Sequence, residues 1–148
     1  MIKAIVLDID GVIVGNHEGV NFPHPSKKVT KILRKIHDNG IPVSFLTGKP
    51  SFAASENIKA VGIDNPHIAD GGATVFNPMQ NQIIHSENID KKDILNLLNS
   101  LPENTYLNLF STKNYYLEKS FENAFTKTYS KFVGLYLNLV DNLKKVIK

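Results

Sequence analysis

Cysteine and tryptophan are both missing from this 148-residue chain, and arginine occurs only once, at Arg34. Without a thiol there is no disulfide framework, no thiolate metal site, no iron–sulfur cluster and no cysteine nucleophile. Long apolar runs are missing as well. The longest, Ala4-Ile5-Val6-Leu7, falls far short of the roughly 20 residues that a membrane span needs. Met1-Ile2-Lys3 leads straight into that run, which ends in an aspartate, so the N-terminus does not read as a signal peptide. Concentrated charge is the last absence. Seventeen Lys and Arg against fourteen Asp and Glu give a net charge of +3. The pairs Lys27-Lys28, Lys91-Lys92 and Lys144-Lys145 stand apart and build no basic stripe of the kind nucleic acid requires. These absences predict a soluble, cytoplasmic protein with neither a nucleic-acid nor a membrane partner.

With 42% hydrophobic residues, the chain is long enough to form one domain or one and a half. Ala4–Leu7, closed by Asp8-Ile9-Asp10-Gly11, reads as a buried strand of a parallel sheet, because it is short, β-branched and ended by a turn signal. Val12-Ile13-Val14 continues the extended pattern, and Gly15–Gly19 is turn-like, so residues 12–22 are expected to form a small hairpin. Ser26 caps a helix whose apolar residues Val29, Ile32, Leu33 and Ile36 share one face, and Gly40 stops it. A second strand follows over Ile41–Leu46, then the loop Thr47-Gly48-Lys49-Pro50, then a helix from about Ser51 to Val61 stopped by Gly62. His67-Ile68-Ala69 is a third short strand, followed by Asp70-Gly71-Gly72 and a hairpin near Asn77-Pro78. Alternation of strand and helix predicts an α/β fold, a Rossmann-like parallel sheet over residues 1–70 covered by helices.

From about Ile83 the pattern changes. Asp90 caps a helix with Ile94, Leu97, Leu98 and Leu101 on one face. Extended segments at Thr105–Phe110 and Tyr115–Leu117, a helix near Phe121–Ser130 and an apolar stretch over Phe132–Val140 follow. This is α+β material, so we divide the chain at 1–83 and 84–148. The aromatic residues of the second part read as core.

In an open α/β sheet, ligands bind outside the carboxyl ends of the strands. Those ends carry Asp8, Asp10 and Gly11 after the first strand, Thr47, Gly48 and Lys49 after the second, and Asp70, Gly71 and Gly72 after the third. Asp8-Ile9-Asp10-Gly11 is the sharpest signal, since such a D-x-D-G string arises by chance only about 0.03 times in a chain of this composition. Carboxylates at i and i+2, where a strand breaks, can both approach one metal or one phosphorus. Two of them facing a phosphate repel it, at about 4 kcal/mol per unit-charge pair at ~4 Å and an effective dielectric near 20. A divalent cation such as Mg²⁺ removes that obstacle. One carboxylate can then attack phosphorus, while the other gives and takes the proton. The Thr47 hydroxyl and the Gly48 amide can hold phosphate oxygens.

In order and spacing these residues resemble the haloacid dehalogenase (HAD) superfamily, and within it the Cof-type phosphatases. Asp8-Ile9-Asp10-Gly11 is similar to the family's first motif and Phe45-Leu46-Thr47-Gly48-Lys49 to its second. Ile68-Ala69-Asp70-Gly71-Gly72-Ala73 is similar to the segment where this subgroup has a strand followed by Asn-Gly-Ala or Asn-Gly-Gly. The resemblance implies a HAD-like core over residues 1–83 and the beginning of an α+β cap over 84–148. It implies a Mg²⁺-dependent phosphoric monoester hydrolase acting on a small phosphorylated metabolite through an aspartyl-phosphate intermediate. Asp8 would be nucleophile and Mg²⁺ ligand, and Asp10 the general acid/base and a ligand through its backbone carbonyl. Thr47, Gly48 and Gly11 would bind the phosphoryl group.

Three departures accompany the resemblance. Val12 stands where the family usually has threonine, and Asp70 where it has asparagine. The third-motif lysine and the fourth-motif acidic loop are absent after Asp70, and Lys113, Lys119, Lys127 and Lys131 read as surface. The expectation is therefore an N-terminal portion that needs a C-terminal segment or associates with itself through its apolar edges. The alternatives are a complete protein with an abbreviated cap, and a non-catalytic module of the same fold that needs a second chain for activity.

Overall fold

A computed structural model describes residues 2–15, 21–111, 114–133 and 137–147, with the backbone alone for 131–133. The chain divides into two compact units, Met1–Glu87 and Asn88–Lys148.

The first unit runs β1 (Ile5–Leu7), α1 (Lys27–Asp38), β2 (Val43–Phe45), α2 (Ser51–Val61), β3 (His67–Ala69), β4 (Thr74–Asn77) and β5 (Gln82–Ser86). β1 and β2 pair in parallel, with Ile5 beside Val43 and Leu7 beside Phe45. A single parallel bridge, Leu46 to Ile68, joins β2 to β3. β4 and β5 then add on antiparallel. The parallel sheet expected over residues 1–70 is thus present, and an antiparallel hairpin extends it. That hairpin keeps β5 in the first unit, so the division falls after Glu87.

Both helices are delimited as the sequence suggests. The Ser26 hydroxyl accepts the Val29 amide at 3.2 Å at the start of α1. At the end of α2, Gly62 adopts φ +75° and its amide reaches the Ile58 carbonyl at 2.9 Å, a left-handed cap. Leu33 of α1, Ala54, Ile58 and Val61 of α2, and Val43 and Phe45 of β2 form one apolar cluster with Ile9, Ile13, Val14, Ile63, Ala69 and Phe76. Both helices therefore pack on the sheet face that carries Val43 and Phe45. The other face is open in this unit, where Val6 is 59% and Leu46 48% exposed. β1 is accordingly half-buried rather than fully buried as its unbroken apolar run suggested. Ile32, placed by periodicity on the apolar face of α1, is also exposed.

The segment after β1 departs further from expectation. Val12, Ile13 and Val14 do not extend the strand. Their three amides all converge on the Ile9 carbonyl, and Gly11, at φ +78°, donates to Val14 O at 2.7 Å. A tight turn results, because a left-handed glycine reverses the chain and lets Ile13 and Val14 enter the core, 4% and 1% exposed. Gly15 N meets Asn21 O at 3.1 Å. Residues 16–20, the tip of the expected hairpin, lie outside the described residues.

The second unit contains α3 (Lys91–Ser100), β6 (Leu109–Phe110), β7 (Tyr115–Glu118), α4 (Ala124–Val133) and β8 (Leu137–Val140). β7 is central, antiparallel to β6 and parallel to β8. Among the described residues of this unit Tyr115, Leu117, Thr126, Ser130 and Leu143 are buried, and Tyr115 stacks on Phe110 with ring centres 4.9 Å apart. Burial drives the Tyr115 phenol well above its usual range. α3 starts after Asp90 as expected but buries none of its residues within the described chain.

Candidate active site

Parallel pairing decides what meets at the sheet edge. Because Leu7 lies beside Phe45, and Leu46 N donates to Leu7 O at 2.9 Å, the residues following β1 and β2 emerge together. The bridge to Ile68 brings Asp70 to the same edge. The three polar loops singled out in the sequence are thus neighbours.

Each loop is tied to the next. The Asp8 carboxylate is exposed, and its Oδ1 accepts the Ile9 amide at 2.6 Å, which fixes the side chain at the point where the strand breaks. Asp10 lies one turn on, with its side chain one-third exposed, and its Oδ1 is 2.8 Å from the Lys49 ammonium. Thr47 is buried at 2% exposure; its Oγ1 accepts the Lys49 amide at 3.2 Å, and its own amide donates to Ile68 O at 3.0 Å. Gly48 is exposed and has open space where a side chain would stand. Lys49 O in turn accepts the Asp70 amide at 3.0 Å, and Gly71 N donates to Thr47 O at 3.3 Å. Asp70, at φ +54°, turns its carboxylate onto the first amide of α2, with Ser51 N 3.3 Å from Oδ2. An acid at the positive end of a helix is stabilised there by both the hydrogen bond and the dipole. The aspartate found where the resemblance expects asparagine is therefore a helix cap.

Gly11 serves the turn: its amide is engaged by Val14 O. Among the residues that sequence reasoning singled out, Asp8, Asp10, Thr47 and Gly48 cluster at one edge. Lys49 was not assigned a role, although its buried ammonium reaches the first loop. Its only signal was a lysine directly after Thr-Gly. Lys119 and Lys127 pair with Asp141 and Glu122 on the surface of the second unit; Lys113 lies outside the described residues, and the Lys131 side chain is not described.

Below this edge His67 fastens β2 to β3. Its ring is fully buried between Phe45 and Phe76, with centre separations of 5.3 and 6.2 Å. Nδ1 accepts the Phe45 amide at 3.1 Å, and Nε2 faces Ile63 O at 3.4 Å. Accepting at Nδ1 requires the neutral tautomer protonated at Nε2. Burial pushes its pKa down to about 4.

The described residues contain no group of three or more His, Asp or Glu side chains that could hold a metal ion. Hard oxygen donors at Asp8 and Asp10 nonetheless suit Mg²⁺, which commonly takes one or two carboxylates and completes its shell with water and phosphate oxygens.

Known proteins are similar to this chain in sequence and in fold. Phosphatase YwpJ of Bacillus subtilis is 31% identical over 112 residues, covering 74% of this chain and 36% of that protein. A glucosyl-3-phosphoglycerate/mannosyl-3-phosphoglycerate phosphatase of Persephonella marina is 35% identical over 74 residues, 50% of this chain and 26% of that one. The match thus spans about a third of one curated relative and about a quarter of the other. A solved haloacid dehalogenase-like hydrolase from Bacteroides thetaiotaomicron superposes with a TM-score of 0.75 at 14% identity, covering all of this chain and 55% of that one, a likeness of fold. The sequence pattern of the haloacid dehalogenase-like hydrolases matches residues 5–147. With that match running over nearly its whole length and the two motifs set at adjoining strand ends, the chain belongs to the haloacid dehalogenase-like hydrolase family.

Proposed function

We propose that this chain carries the phosphate-handling part of a Mg²⁺-dependent phosphoric monoester hydrolase that acts on a small phosphorylated metabolite. The observation that carries the reading is the junction of the first two loops, with Asp8 and Asp10 on one and Thr47 and Gly48 on the other, tied together at 2.8 Å through Lys49 and Asp10. The phosphatase names of the two curated relatives support the reaction class.

In this reading a carboxylate oxygen of Asp8 attacks phosphorus as the ester P–O bond breaks, and Asp10 gives its proton to the departing alkoxide oxygen. The product is an alcohol and an aspartyl phosphate on Asp8. Water then attacks that phosphorus, Asp10 takes a proton from the water, and the bond to Asp8 breaks to release inorganic phosphate. The Thr47 hydroxyl, whose oxygen already accepts from Lys49 N, has its proton available for a phosphate oxygen, and the Gly48 amide can take another. The Asp8 carboxylate and the Asp10 carbonyl would hold Mg²⁺, which when bound offsets the charge between carboxylates and phosphate. Exposure of Asp8 suits a group that must meet a substrate.

Phosphate release from p-nitrophenyl phosphate, with and without Mg²⁺, tests the reading alongside Asp8→Asn. Metal-dependent release that vanishes in the variant is expected; comparable release by Asp8→Asn would refute the nucleophile. A second reading is favoured by the missing third-motif lysine and acidic loop and by the short span relative to the curated relatives. It makes the chain a module that turns over only once a second segment supplies those groups, so release appearing only on adding that segment would select it.

A further inference from the structure

Lys49 is the most deeply buried cation at the sheet edge, with its side chain 6% exposed. An ammonium withdrawn from water to that extent is costly unless an acceptor faces it, a role that Oδ1 of a carboxyl group fills whether or not Oδ2 carries a proton. Here the partner is Asp10, across 39 positions of sequence, at 2.8 Å. The lysine backbone is itself held on both sides. Its amide donates to Thr47 Oγ1 at 3.2 Å, and its carbonyl accepts from Asp70 N at 3.0 Å. Pro50, buried, follows it as the N-cap residue of α2. The ammonium is therefore delivered to Asp10 from a backbone anchored in two neighbouring loops. Asp10 stands on the turn after a three-residue strand, and its side chain is one-third exposed.

We propose that Lys49 is the positioning residue for the general acid/base: by holding Oδ1 of Asp10 it fixes the carboxylate so that Oδ2 faces the oxygen with which a proton is exchanged. This rests on the phosphatase reading above. The pair also bridges the two loops that carry nucleophile and phosphate-binding hydroxyl, so their spacing is set by the same contact. Mispositioning a reacting group by about 1 Å can cost on the order of 100-fold in rate.

The test is a double-mutant cycle on the full chain, with p-nitrophenyl phosphate and Mg²⁺. Lys49→Met is expected to lower kcat by about 100-fold with KM changed less than about threefold. Lys49→Arg, which keeps charge and reach, is expected to restore most of the rate. In an Asp10→Asn background, Lys49→Met is expected to cost less than about threefold more, because the group it positions is already gone. An undiminished loss in that background, or a loss carried by KM, would overturn the proposal and make Lys49 a substrate contact independent of Asp10. Wild-type chain without Asp8-dependent release would select the module reading given above and remove the kinetic arms of this test. The pairing is then judged by urea midpoints of the same four proteins: non-additive shifts uphold it, and additive shifts overturn it.

Discussion

At the residue scale, the site is made of short-range geometry on a long-range frame. Thr47 illustrates this best. It is almost fully buried, it lies next to a glycine, and its hydroxyl oxygen is already used as acceptor by Lys49 N. A phosphate oxygen would thus receive the one proton the hydroxyl has left. A hydrogen bond to a charged group is worth roughly 1.5–3 kcal/mol, so Thr47→Val, similar in volume, is expected to lower kcat/KM by about 10- to 150-fold. Steady-state kinetics on the phosphomonoester check this, and an unchanged kcat/KM would remove Thr47 from the phosphate site. Thr47 and Gly48 were legible in the sequence because strand ends in α/β sheets are where ligands bind. The partner of Lys49 was not, because nothing local to Thr-Gly-Lys says which carboxylate its side chain will reach.

At the scale of the elements, termini were easier to read than faces. Ser26, Gly40 and Gly62 announce their helix ends through local chemistry, and each is found where expected. Gly62 is the most constrained. It sits at φ +75°, and a β-carbon there would run into the Arg34 guanidinium, which donates to the Val61 carbonyl. Gly62→Ala is therefore expected to destabilise the chain by about 1–2 kcal/mol. A lowered midpoint in urea would show it, and an unchanged midpoint would mean the cap relaxes freely. Faces were misjudged where burial depends on what lies opposite. Ile32 and Val6 have the right spacing and residue type for a core, yet both remain exposed. Val12–Val14 was misjudged for a related reason: β-branched residues favour strands, but a left-handed Gly11 reverses the backbone before them.

At the scale of the whole molecule, stability should depend on pH through His67. In the folded chain its pKa is about 4, against 6.5 for an unperturbed histidine. Between those values the unfolded chain binds the proton and the folded chain does not. The contribution is thus complete above pH 6.5 and is lost as pH falls toward 4. At about 1.4 kcal/mol per pKa unit it amounts to on the order of 3 kcal/mol. Urea midpoints at pH 7, 5.5 and 4.5 should fall for the wild type, and the fall should be smaller for His67→Gln. Parallel curves would exclude His67 as the cause.

By itself the sequence determined the order of strands and helices in the first unit, the ends of both helices, and that Asp8, Asp10, Thr47 and Gly48 follow adjoining strands to one sheet edge. These are local signals, written in apolar periodicity, caps and turn residues, and parallel pairing then places successive strand ends on one side. Tertiary structure alone decided that Lys49 pairs with Asp10, that Asp70 caps α2 and that His67 joins two strands through a backbone amide. Such contacts join residues 19 to 39 positions apart. Their partners are chosen by strand register and packing, which no short stretch of sequence contains.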